Sequence, residues 1–367
     1  MTVKFKPVDG TYTYLDTNVH PLYSTAHYPR VKQLKDGRFM LIFQCDQLGA
    51  NIYVAFSADL KQWSNPKPVV NAYNIRTEDG TPDKRLFMTA DAAVLDNGDI
   101  LIVCSYRREQ QYAENVAGNG LVMLRSCDGG ITWSAPEIIY VGTNWEPHVL
   151  QLRSGEIHVY FTHTAPKIYY YGFNKLRRSS GTALLRSLDG GHTWIPQVMG
   201  EPYTAQRVAQ QYVADLDGVK HYTDQMPVAT ELKDGSIALA LESYAEDRSY
   251  HVSMAFTHDN WQKELGMDED GPEDRLNYMH PGAGPYLVTL DSGLTALSYN
   301  DKKNFFVRVG DESAHCFDEP VVVFGHLSKG IWGSLLALPG DRVIACFPQV
   351  TNTRNNGIAI EVLQLEK

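Results

Sequence analysis

The chain has 367 residues, 43% of them hydrophobic, and a formal net charge of −10. That acidity, with no basic stripe, argues against a nucleic-acid partner, and no apolar run approaches the roughly 18 residues that would suggest a membrane span. Glycines (29), prolines (18) and tyrosines (21) are spread along the chain, a mix that suits many short strands joined by turns.

The N-terminal stretch MTVKFKPVDGTYTYL has no apolar signal core. With Met1 as the native start the protein is expected in the cytoplasm, and otherwise as a secreted protein whose signal peptide is removed. In chain order, six copies of one pattern follow: a short strand, a turn with glycine, and an apolar strand. The turns are Asp36-Gly37, Asn97-Gly98, Ser154-Gly155, Asp234-Gly235, Ser292-Gly293 and Pro339-Gly340. Dipeptides such as Asp-Gly between apolar runs signal hairpins, because type I′ turns need positive φ. In four copies the first strand reads P-x4-L-x2-G, from Pro29, Pro147, Pro227 and Pro285. A further strand then leads into Ser126-Cys127-Asp128-Gly129-Gly130-Ile131-Thr132-Trp133, and again into Ser187-Leu188-Asp189-Gly190-Gly191-His192-Thr193-Trp194. Weaker copies lie at Ser57–Trp63 and Thr257–Trp261. These segments resemble the Asp-box (BNR) repeat and read as outer-rim turn staples, with Asp and Ser/Thr bonding backbone across the turn.

Two hairpins per copy make a four-stranded antiparallel sheet, and six such sheets make a six-bladed β-propeller, here expected as one domain over 1–367. Blades start near residues 25, 88, 145, 224, 280 and 330, and Thr11–Leu15 is expected to pair with Ile358–Leu365 to close the ring. Cys45, Cys104 and Cys346 sit in apolar strands and read as buried free thiols.

An antiparallel hairpin places the start of its first strand beside the end of its second. The position seven after each turn glycine is Gln44, Ser105, Thr162, Glu242, Asn300 and Phe347, a polar ring with one acid. The position before the recurring proline is Tyr28, Glu146, Met226 and Gly284, again with one acid. Glu146 and Glu242 thus project from adjacent blades at one end of the channel, as the paired carboxylates of glycoside hydrolysis do. Asp91 and Asp224 lie at the same end as candidates for holding a sugar hydroxyl. Trp145, Tyr244, Tyr299 and Trp332 are candidate aromatic faces for a sugar. His27, His148, His163 and His280 also fall near this end, without metal-ligand spacing. No metal or cofactor is expected. The longer inserts 163–181, 200–223 and 266–280 are candidate walls that would favour attack on chain ends.

The stretch Trp145-Glu146-Pro147 with HVLQLRSGEIHVYFT resembles the family 93 glycoside hydrolases, the exo-arabinanases, as does Asp224-Gln225-Met226-Pro227 with VATELKDGSIALALE. The resemblance implies a six-bladed propeller, a retaining mechanism, catalytic glutamates at Glu146 and Glu242, and an arabinan-like oligosaccharide or polysaccharide substrate. The rival resemblance is to sialidases, which hold the substrate carboxylate with three arginines. Here His27 stands where their first arginine belongs, and Arg30 is nearby but out of register. Arg107, Arg108, Arg248 and Arg308 are the remaining candidates for such a cluster. A non-catalytic carbohydrate-binding propeller is the third alternative.

Overall fold

The computed structural model describes residues 3–16, 26–45, 51–110, 112, 115–164, 179–197, 201–216, 218–247, 249–301, 303–325, 332–350 and 356–366. It is an all-β, six-bladed propeller of four-stranded antiparallel blades. Blade one runs through His27–Gln33, Phe39–Cys45, Asn51–Ser57 and Lys67–Val70. The innermost strands of blades two to six are Pro82–Val94, Asn144–Gln151, Gln225–Glu231, Ala283–Thr289 and Ser334–Leu338.

The second strands read as continuous apolar runs, not as alternating ones, because neighbouring blades cover both faces of each sheet. Phe39–Cys45 and Ile100–Arg108 are buried almost throughout. The core is accordingly a series of layers between blades: Leu34 and Met40 pack with Ala92 and Ile102, Val103 with Val149 and Phe161, and Leu184 with Leu239.

The ring closes through blade six. Its strand Asn356–Glu366 pairs with Thr13–Asp16, in the register Thr13 opposite Ile360, and also with Lys4–Pro7, in the register Phe5 opposite Leu365. The closing strand therefore begins earlier than the Thr11–Leu15 segment suggests. It is interrupted by a turn at Gly10 with φ 71°.

At the outer turns, Asp128 Oδ1 accepts the amides of Ile131 and Thr132 at 3.0 and 2.9 Å, and the Ser126 hydroxyl accepts from Gly130 at 2.9 Å. Asp189 and Ser187 repeat the arrangement, as do Asp59 and Asp259 in shortened form. Trp63, Trp133, Trp194 and Trp261 pack into the layers toward the preceding blade, and Trp261 donates to the Tyr160 hydroxyl at 2.9 Å. A similar turn in blade five, where Asp311 accepts from His315 at 2.9 Å, lacks the Ser/Thr, Gly and Trp that would reveal it in sequence. All five cysteines are free, with Cys45, Cys104 and Cys346 buried and Cys127 and Cys316 exposed.

Candidate active site

In each blade one residue in the left-handed region falls at the same register, on the innermost strand of blades one to five and just ahead of it in blade six. These are Tyr28 (φ 57°), Thr89 (50°), Glu146 (55°), Met226 (48°), Gly284 (62°) and Trp332 (71°). In blades one to five a bulge breaks the pairing there, as between Trp145 and His148. Such a bulge turns a side chain out of the sheet, which is how Glu146 reaches the channel mouth.

The backbone turn at this register also leaves N–H groups outside the strand pairing, and a buried amide needs an acceptor. The polar ring supplies it. Gln44 Oε1 accepts from Thr89 N at 2.7 Å, Thr162 Oγ1 from Met226 N at 2.8 Å, Glu242 Oε2 from Gly284 N at 2.8 Å, and Asn300 Oδ1 from Trp332 N at 3.3 Å. Between blades two and three the link runs through Thr89, whose hydroxyl meets Ser105 at 3.1 Å and accepts from Glu146 N at 3.3 Å. The ring is therefore a latch from each blade to the next. Phe347 cannot serve, and between blades six and one Arg30 Nη1 instead donates to the carbonyls of Trp332 and Gly333 at 3.1 and 3.2 Å.

The structure brings Glu146 and Glu242 together. Burial raises both carboxyl groups above the usual range, and the charge of Glu146 raises Glu242 further. Their settings differ. Glu146 Oε2 accepts from the Thr162 hydroxyl at 2.9 Å, and the Arg107 and Arg30 cations also favour its anion. Glu242 has the Gly284 amide against burial and the Glu146 charge.

Around the pair, His27 is half-buried with its ring 6.1 Å from Trp332. Half-buried Trp145 lies under the Arg107 guanidinium, 3.4 Å from its ring centroid, and edge-on to Tyr112. Tyr244 continues the strand beyond Glu242.

One layer deeper, the channel is filled by a charged plug. Asp91 is 1% exposed and bonds Lys32 Nζ at 2.9 Å and His148 Nδ1 at 2.6 Å, with the Tyr286 hydroxyl at 3.4 Å. Despite burial, Lys32 foremost, then His148 and Arg30, hold its carboxyl well below the usual range. Arg30 is also buried, stacked 3.8 Å over the Tyr28 ring. Lys32 and Tyr286 carry no motif of their own. Their signal is register, four and two residues inside the bulge respectively.

The other sequence candidates are engaged within the fold. Asp224 is fully buried, paired with Arg275 at 2.8 Å and accepting from Ser243 at 2.8 Å. Tyr299 is 5% exposed and packs between His280 and Phe306, at 4.3 and 5.2 Å. His148 is bound within the plug and to the Ala229 carbonyl. Arg308 is committed to His280 and to the Asp318 carbonyl. Arg248 and residues 165–178 of the first long insert lie outside the described residues. The second insert forms a hairpin of Gln211–Leu216 and Val219–Thr223. Among the described residues no three His, Cys, Asp or Glu side chains gather as a metal-ligand set, and no helix is long and apolar enough to cross a membrane.

No protein-family model matches the chain, and no curated protein matches it in sequence. Solved structures share its fold. A protein of unknown function from Dyadobacter fermentans aligns with a TM-score of 0.70 at 16% identity, over 99% of both chains. A Hadza microbial sialidase aligns at 0.64 and 11% identity, over 93% of this chain and 65% of its own. An α-L-arabinanase from Penicillium chrysogenum, complexed with arabinobiose, aligns at 0.58 and 17% identity, over 99% of this chain and 98% of its own. At these identities the likeness is one of fold, and two of these three neighbours are glycoside hydrolases by name.

Proposed function

We propose that the chain is an exo-acting glycoside hydrolase with Glu146 and Glu242 as its catalytic pair, acting on a neutral terminal sugar such as an α-L-arabinofuranosyl unit. The observation that carries this reading is the pair of mutually interacting carboxyl groups, Glu242 buried and Glu146 half-buried, presented by adjacent blades at one end of the channel. The glycosidases among the fold neighbours support the same class.

The two environments divide the labour. Like charges this close do not both ionise readily, so the pair retains one proton above the pH where a free glutamate loses it. Glu146 ionises first, because the Thr162 hydroxyl and two guanidinium groups favour its anion. Glu242 keeps the proton and donates it to the leaving glycosidic oxygen. In the retaining course, Glu146 attacks the anomeric carbon and forms a glycosyl ester. Glu242, now a base, takes a proton from the water that cleaves it. Trp145 and Trp332 supply faces for the apolar side of the sugar, with His27 beside Trp332. The plug of Asp91, Lys32 and Arg30 forms the floor.

The experiment is turnover of an aryl glycoside panel that includes arabinofuranoside and sialoside, with the product anomer followed by NMR. In a folded protein Glu146→Gln should abolish turnover and Glu242→Gln should slow it by about 10²–10⁴, and normal activity of either sinks the assignment. One observation favours the sialidase alternative, namely the cations Arg107 and Arg30 acting on Glu146. Against it, Arg30 Nη1 is spent on backbone carbonyls. Preferred turnover of the sialoside would decide for that alternative.

A further inference from the structure

Beyond Glu242 the mouth continues into a rim of tyrosines on blade four. Alternation along Ile237–Tyr244 puts Tyr244 on the same face as Glu242. Its cross-strand partner is Tyr250, 38% exposed, with the two rings edge-on at 5.0 Å. The hairpin of the second insert is tied to the same place, since Thr223 Oγ1 accepts from Tyr244 N at 2.6 Å. That hairpin presents Tyr212, 40% exposed and backed edge-on by buried Tyr222 at 6.1 Å. The exposed carboxylate of Glu246 acts on both Tyr212 and Tyr278, which joins hairpin and blade in one surface.

We infer that this rim holds the part of a neutral saccharide chain that lies beyond the bond cleaved at Glu146 and Glu242. Tyrosines offer broad, rigid, amphipathic faces at low entropic cost, suited to the flat C–H face of a sugar ring. Glu246 and the exposed Asp215 and Asp270 accept hydrogen bonds from hydroxyl groups, and they repel an anionic glycan. A chain leaving the carboxylate pair along Tyr244 meets Tyr250 and then the hairpin. The inference rests on the proposed hydrolase reading, and the test separates the two.

The full chain is run through native gels containing debranched arabinan, xylan, galactan or polygalacturonate, beside Tyr212→Ala and Tyr250→Ala, two exposed positions whose variants are checked by thermal melting. A neutral polymer should slow the wild type, each variant should lose that retardation, and polygalacturonate should leave migration unchanged. In turnover, kcat/KM of Tyr250→Ala should fall about tenfold more on a neutral oligosaccharide than on an aryl glycoside, a difference of about 1.4 kcal/mol. Retardation unchanged in both variants, a preference for polygalacturonate, or no retardation by any neutral polymer overturns the rim. Tyrosine-dependent retardation without turnover of any glycoside keeps the rim and removes the hydrolase. Turnover with equal falls on both substrates removes the rim and keeps the hydrolase.

Discussion

Replacing Glu242 by glutamine removes a titratable proton and leaves a side chain of the same length. The latch at this register needs an acceptor for the Gly284 amide, now 2.8 Å from Oε2. Gln44 meets the same need in blade one through its amide oxygen, 2.7 Å from Thr89 N. Glu242→Gln should therefore fold and melt as the wild type does near neutral pH, or slightly higher. Glu242→Ala strands a buried N–H, which costs about 1–3 kcal/mol and should lower the thermal midpoint. Both lose the acid, and removal of a general acid slows turnover by about 10²–10⁴. The assay is kcat/KM on aryl glycosides of graded leaving-group acidity, beside melting curves of all three proteins. The loss in Glu242→Gln should grow as the leaving group becomes more basic, because only then is its proton needed. Glutamine turnover within a few fold of wild type, or glutamine melting with alanine, would refute the reasoning.

The raised carboxyl groups also set a stability profile. A carboxyl whose folded pKa exceeds its unfolded value of ~4.3 favours folding below that value and loses this contribution as pH rises toward the folded pKa. Wild-type midpoints should fall across that window, and those of a Glu146→Gln, Glu242→Gln double variant should fall less; equal slopes count against a buried pair. Thr162→Val removes the hydroxyl that favours the Glu146 anion, so the acidic limb of kcat/KM should move to higher pH, while Thr162→Ser should restore it. Asp91→Asn leaves Lys32 buried without its counter-charge, 2.9 Å from a neutral amide, which costs about 3–5 kcal/mol. It should lower the thermal midpoint and leave the pH limbs in place, whereas lost turnover in a fully stable protein would make Asp91 the acid.

Hairpin turns and apolar runs made the six blades legible, because both signals are local. The same register put Glu146 and Glu242 at one end of the channel. The bulges were not legible. Nothing in Thr89, Met226 or Trp332 announces positive φ, yet the bulge creates the unpaired amide that the polar ring answers. Without it, Gln44, Thr162 and Asn300 read as a site lining when their chief partners are backbone atoms of the next blade. Asp224 and Tyr299 misled for a related reason. Each sits at the expected height, but Arg275 and His280, which engage them, come from the outer strand of blade four, and no local pattern predicts that packing. The blade-five turn at Asp311 shows the converse, a staple kept by one carboxylate after every other signature residue is absent.

A latch asks only for a hydrogen-bond acceptor. In the first, third and fifth blades a neutral side chain supplies it: Gln44, Thr162 and Asn300. In the fourth blade the same job is done by a carboxyl group that burial and a neighbouring carboxyl both push toward its neutral form. Glutamine at 242 would latch equally well without the cost of burying an acid beside another acid. Departures from the locally favourable choice are expected where function demands them. Thr162 shows how closely the two roles are joined. Its hydroxyl receives the latch amide of Met226 and donates to Glu146 Oε2. The contacts that hold blades three, four and five together thus also fix the positions of both carboxyl groups, so that rigidity of the ring and geometry of the pair have one origin.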